Sequence, residues 1–382
     1  MGHELRVYVF AEALPASIVD GFHTASGVNV TVSTYETNEE LVAALRARPD
    51  AYDIVMPSDY AVAELIASGS LRPLDLGAIP NHHNIERSFL SPYFDPGGLV
   101  SGARGHGKDE KYSLPWLWGT TGIAYDSTVV KPAPTSWSDL WNVAYRGRLV
   151  LPDDARETLG IGLLASGKKK NDAGGLGETK TRVQELVDAA VALDANSPET
   201  YLINGQAVIG AVFSGNAVLA QRGNPNVEYV LPEDGAGVWF DNLAIPSRSR
   251  HPAEAEAFIN YLLRPDSGVV VIQQLPFSNP NHAAIELLAS ADPELYAAYQ
   301  ADPATNPPPD QLSGALMVKN IGPDGQAAFE RAWADILAAR PQPPPVEIPP
   351  VLDGAAPANV PPAADPGTVP PETAPTTPEV QQ

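Results

Sequence analysis

Apolar residues recur along this chain in short runs divided by polar turns, and their period switches between two and about three and a half. Residues 5–10 form an apolar run of strand length. Pro15 then stands where a helix begins, a position at which its missing N–H costs nothing. Ile18, Phe22 and Ala25 follow at helical spacing, and Gly27 supplies the stop. Residues 28–32 are β-branched and predict a strand. A helix is predicted at about 39–47, a strand at 53–56 and another helix over 61–68. This rhythm predicts a mostly parallel sheet with helices on both faces. Ligands of such sheets bind outside the carboxyl ends of the strands. The loops at 11–13, 34–38 and 57–60 are therefore the ones to watch.

A second α/β region follows. The pattern predicts strands at 123–125, 148–151, 208–213, 227–231 and 238–246, and helices at 153–165, 181–193, 253–263 and 267–275. Residues 97–111 are glycine-rich and charged, and predict a flexible surface loop. A last amphipathic helix over 325–340 carries Phe329, Trp333 and Ile336 on one face. Beyond Arg340 the character changes. Fourteen of the last 42 residues are proline, which predicts an extended, disordered, polyproline-type tail.

Composition narrows the function classes. The formal charge is −22 over 382 residues, with the acids spread rather than blocked. That balance excludes the basic footprint of a nucleic-acid binder and suits cationic partners, although acidity also serves solubility. Cysteine is absent, which rules out a disulfide framework, a thiolate zinc site and a cysteine nucleophile. No apolar run is long enough to span a bilayer. The first residues run straight into the first strand without a signal-peptide pattern, so either the protein is cytoplasmic or its signal is missing from this chain. His82, His83 and His106 fit no metal-ligand spacing. No nucleophile elbow, Walker loop or dinucleotide fingerprint is present, so the expectation is no catalytic residue, no metal, no cofactor and no enzyme.

The candidate chemistry lies in acids and aromatics. Glu12 follows the first strand and precedes a helix start, where free amides and the helix dipole favour a charged carboxylate; a plain capping acid fits equally. Asp154 and Glu157 open the helix after the strand at 148–151, three apart and on one face. They read either as a pair wanting a cation between them or as a capping-box variant. Trp239 and Asp241 alternate onto one side of a strand, and a tryptophan face beside a carboxylate suits an ammonium. Ser58 and Tyr60 offer hydroxyls and a flat ring at the end of the third strand. Phe213 and Phe277 are further platforms or ordinary core.

Seven stretches in order make a resemblance: STYETNE at 33–39, YDIVMPS at 52–58, YSLPWLWG at 112–119, TSWSDLW at 135–141, LPDDARE at 151–157, WFDNLAIP at 239–246 and FINYLLRP at 258–265. The chain resembles the periplasmic spermidine/putrescine-binding proteins of ABC importers from residue 5 to about residue 340. The resemblance implies an α/β, two-lobed periplasmic binding protein of type II, with mixed sheets and hinge crossings that close on the ligand. It implies lobe 1 at 5–118 and 242–287, lobe 2 at 119–241 and 288–340, and the proline-rich tail at 341–382. It further implies a monomer outside the cytoplasm that binds a polyamine and docks on membrane permease subunits. A binder or sensor for another small cationic amine on the same fold is the alternative.

Carried over by position, Glu12 would hold one terminal ammonium, Asp154 and Glu157 the other, and Asp241 an inner amine. Trp239 and Tyr60 would flank the methylene chain, and Ser58 would serve one end. The sequence departs from the pattern at Ala11 and Ala13, where Thr and Tyr are expected. Phe213 stands for a Trp, Phe277 for a Tyr, and about Val318 for a Gln. These departures predict weaker binding or a shifted selectivity, with the acids setting ligand charge and the aromatics its length.

Overall fold

The computed structural model describes residues 4–11, 13–97, 110–312 and 314–341. Its first half alternates strictly: β1 (Glu4–Phe10), α1 (Ala16–Ser26), β2 (Asn29–Tyr35), α2 (Asn38–Ala47), β3 (Ile54–Val55) and α3 (Asp59–Ala67). Local chemistry sets these ends. Gly27 closes α1 at φ 73°, and its N–H donates to His23 O at 2.8 Å. Thr37 Oγ1 caps α2 by accepting from the Glu40 N–H at 3.2 Å. Pro15 stands one residue earlier than predicted, at the cap of α1, and Ala25 is exposed, so the buried face of α1 is Ile18 and Phe22 alone.

A strap of short turns leads to β4 (Ser113–Asp126), which is buried along 13 of its 14 residues. The strand predicted at 123–125 is only its far end. Periodicity could not show the rest, because a strand covered on both faces carries no alternation. After it come β5 (Leu149–Leu151), α4 (Ala155–Ala165), α5 (Leu176–Ala189), β6 (Ala190–Leu193), α6 (Glu199–Ile203), β7 (Ile209–Phe213), α7 (Ser214–Gly223) and β8 (Val227–Val230). The helix predicted at 181–193 thus stops at Ala189. Residues 190–193 instead pair parallel with β5, and Ala190 and Ala192 face inward. The long β9 (Gly237–Ala244) is followed by α8 (Pro252–Leu262), α9 (Pro265–Gln274), α10 (His282–Ala291) and α11 (Pro293–Ala301). Last come α12 (Pro309–Leu312), β10 (Leu316–Met317) and α13 (Gly322–Ala339).

Among the described residues the strands form one sheet in the order β2-β1-β3-β9-β4-β7-β5-β6, with β8 on β4 and β10 on β9. The first three strands are parallel, as predicted. At the centre β4 and β9 run antiparallel from Ser113↔Ala244 to Thr121↔Gly237, and then β4 continues beside β7 and β8. It therefore feeds two cores. Leu114, Trp116 and Leu117 join Leu5, Phe22, Ile54, Leu243 and Phe258. Ile123 and Tyr125 join Trp137, Leu149, Leu159, Phe329, Trp333 and Ile336. The face predicted for the last helix is the one that α13 buries. Leu288 and Tyr299 pack on Val269 and Ile272 of α9, so α10 and α11 stay beside the first core.

Of the loop predicted at 97–111, residues 98–109 lie outside the described residues. Lys111, at its end, is buried rather than on the surface, and its Nζ lies 3.2 Å from Asp95 Oδ2. The tail from residue 342 on also lies outside them.

Candidate functional site

The carboxyl ends of the parallel strands open where the chain leaves β3 and turns into α3. Ser58, at the cap of α3, forms an antiparallel bridge with Asp241 of β9. Its Oγ donates to Asp241 Oδ1 at 2.7 Å, and its N–H donates to Asn38 Oδ1 at 3.0 Å. Along β9 the half-buried Trp239 and Asp241 are separated by buried Phe240 and flanked by buried Val238 and Asn242, so both project from one face. Next to them lies Asp59, 1% exposed. Its Oδ1 accepts the Tyr60 N–H at 2.7 Å, while Oδ2 is buried with no hydrogen-bond partner among the described residues. Sequence reasoning passes over Asp59 because an acid in a first helical turn is commonplace.

The second core contributes the start of α4. Asp154 caps it, with Oδ1 accepting the Glu157 N–H at 2.8 Å, so the capping reading holds for Asp154. Glu157 does not fold back on the helix start. It is buried, and both carboxylate oxygens accept from Lys170 Nζ, at 3.0 and 2.9 Å. Arg156, also buried, lies 5.7 Å from the Tyr60 ring and donates to Gln326 Oε1, Asn171 Oδ1 and Lys319 O at 2.8–2.9 Å. Gln326 Nε2 donates to Glu39 Oε1 at 3.3 Å, and the Tyr60 hydroxyl reaches the same oxygen at 3.1 Å. Val318, where the resemblance expects an amide, offers its carbonyl to the Tyr93 hydroxyl at 2.8 Å. Sequence reasoning misses Lys170, Arg156, Glu39 and Gln326. The one available signal was the Lys168-Lys169-Lys170 run in so acidic a chain.

The aromatic side is built on glycines. A Cβ on Gly119 would stand 2.3 Å from the Trp239 ring, and one on Gly215 would stand 2.4 Å from Phe277. Trp239 meets Phe213 and Phe277 edge-on, with ring centroids 6.1 and 5.9 Å apart, and its Nε1 is buried without a partner among the described residues. Trp239, Phe213, Phe277 and Asp241 are therefore gathered, with Ser58 against Asp241. The Tyr60 hydroxyl meets Glu39, and its ring lies under Arg156. Glu12 lies outside the described residues. Ala13 is buried, and its carbonyl accepts from Trp116 Nε1 at 2.9 Å. The His82 and His83 rings lie tilted against each other, with centroids 4.0 Å apart, and the His82 ring bonds to Ile79 O. His106 lies outside the described residues. No described helix is long and apolar enough to cross a membrane.

Burial dominates the electrostatics. It pushes the Asp241 carboxyl up to about 7, against the pull of the Ser58 hydrogen bond. Burial, aided by the Glu157 charge, pushes Asp154 up to about 6. Asp59 is held well above the usual carboxylate range for the same reason, with the Asp241 and Glu157 charges adding and Lys170 opposing. Burying a carboxylate without a counter-charge is costly.

A mixed sheet whose central strands serve two cores, with enclosed acids and an aromatic box at the join, defines a solute-capturing receptor of the periplasmic-binding type. Residues 17–308 match the family described as bacterial extracellular solute-binding protein, and the chain belongs to that family. It is 31% identical to a spermidine/putrescine-binding periplasmic protein of Salmonella typhimurium, over 88% of this chain and 92% of that one. It is 32% identical to the Escherichia coli protein of the same description, over 75% and 80%. The structure of the spermidine/putrescine ABC transporter substrate-binding protein PotD from Streptococcus pneumoniae superposes with a TM-score of 0.73. That match covers 88% of this chain and 99% of the other at 29% identity.

Proposed function

We propose that this chain is the extracytoplasmic receptor of an ABC importer and captures a polyamine between two lobes for delivery to membrane permease subunits. One observation carries this reading. Among the described residues, Asp59, Asp154 and Asp241 are enclosed acids without a cationic side chain bonded to them, and a face of Trp239 stands between Phe213 and Phe277 beside Asp241. An ammonium gains from the carboxylates and from the ring quadrupole, and a methylene chain gains from the ring faces. The lobes divide at residues 118–121 and at 241, and α10 and α11 belong with the first. Ser58 and Asp241 act together on one amine, and Asp154 acts from the other lobe. The receptor binds without turnover.

Thermal melting with putrescine and spermidine tests this. A ligand at about a thousand times its dissociation constant adds about 4 kcal/mol to stability. A clear rise in Tm is expected, and Asp241→Asn should abolish most of it while folding normally. An unmoved Tm with both amines at millimolar concentration would refute the assignment.

A further inference from the structure

Lys170 enters the site by a route cut for it. A Cβ on Gly160 would stand 2.9 Å from Lys170 Cγ, and a Cβ on Gly237 would stand 2.8 Å from Lys170 Nζ. Side chains at either position would block the passage. The ammonium thus lies over Gly237, and Gly237, Trp239 and Asp241 share one face of β9 by strand alternation. It is 3% exposed, with both Glu157 oxygens as acceptors. Thr121, paired with Gly237 across the ladder, carries a buried Oγ1 with no partner among the described residues at the same spot.

Three stations follow along this face: Lys170 and Glu157 at Gly237, the aromatic box at Trp239, and Asp241 with Ser58 and Asp59. At about 3.3 Å per residue, the first and last are about 13 Å apart. Resting on the polyamine reading above, we infer that Lys170 is a tethered ammonium occupying one end of the polyamine path, so that the site selects a short diamine over a triamine. Glu157 is already satisfied. Asp154 serves the second ammonium of a diamine, so a third one reaching that end meets a fixed positive charge whose acid, Glu157, is taken, with Arg156 beside it directed at Gln326, Asn171 and the Lys319 carbonyl. A diamine anchored at Asp241 and covered by Trp239 needs nothing from it.

Calorimetry on the intact protein decides. The wild type should bind putrescine at least tenfold more tightly than spermidine. K170M keeps the stem and removes the charge, so Glu157 is freed. Spermidine should then gain at least tenfold while putrescine changes less than threefold. E157Q/K170M, which removes acid and base together and leaves no buried charge behind, should show no such gain. If the wild type binds neither amine, the polyamine reading itself falls. If it binds both but takes spermidine as tightly as putrescine, this inference alone is overturned, whether or not K170M folds. A folded K170M that keeps the wild-type ratio would overturn it equally.

Discussion

For a buried acid, the enclosure decides where the group titrates. Asp241 and Asp154 are raised to about 7 and about 6 by burial. Their unfolded values lie near 4. Between those limits the native state holds more protons than the unfolded chain, so these two groups subtract stability as pH rises through that window. A bound diamine requires the charged forms and reverses the effect. The putrescine-induced rise in Tm should therefore be small near pH 5 and large near pH 8, and Asp241→Asn should flatten the profile. Equal shifts at both pH values would contradict the assignment of these carboxyls as ammonium partners. Trp239 and Asp241 were legible as partners because a period of two survives whatever the strand packs against. Lys170 was not. Whether a lysine lies on the surface or threads between two glycines is settled by chain segments that approach only after folding.

Elements differ in how much of themselves they show in advance. On α13, Phe329, Trp333 and Ile336 form the buried stripe, and Ile336 is 0% exposed against the core with Trp137 and Leu159. Ile336→Ala should cost about 2–5 kcal/mol by leaving a cavity, read as a lower urea midpoint with an unchanged slope. A loss below about 1 kcal/mol would mean that the second core closes without this helix. The stripe was readable because one face is wet. The boundary of α5 was not, since residues 190–193 extend an apolar run whose pairing with β5 overrides local preference. β4 was visible only at its far end: residues 113–122, covered like the rest of it, carry tryptophan, proline and glycine in no simple period.

At the scale of the molecule, the chain divides after Arg340, and the first unit, up to that residue, holds the whole described fold. Every contact described at the site lies within the first. Truncation after Arg340 should accordingly leave putrescine affinity within about twofold, a change well under 1 kcal/mol. A large loss on truncation would show that the proline-rich segment takes part in binding.

The pairing of β4 with β9 joins residues more than 110 positions apart, such as Thr121 and Gly237. Neither core can be completed by the segment that begins it. Synthesis must run past β9 before the central ladder has both its rails. Until then the leading half presents unpaired backbone and exposed tryptophan. Long-range closure of this kind is slow. The newly made chain accordingly has a built-in interval of openness, during which a chaperone or an export machine meets an unfinished polymer rather than a folded receptor.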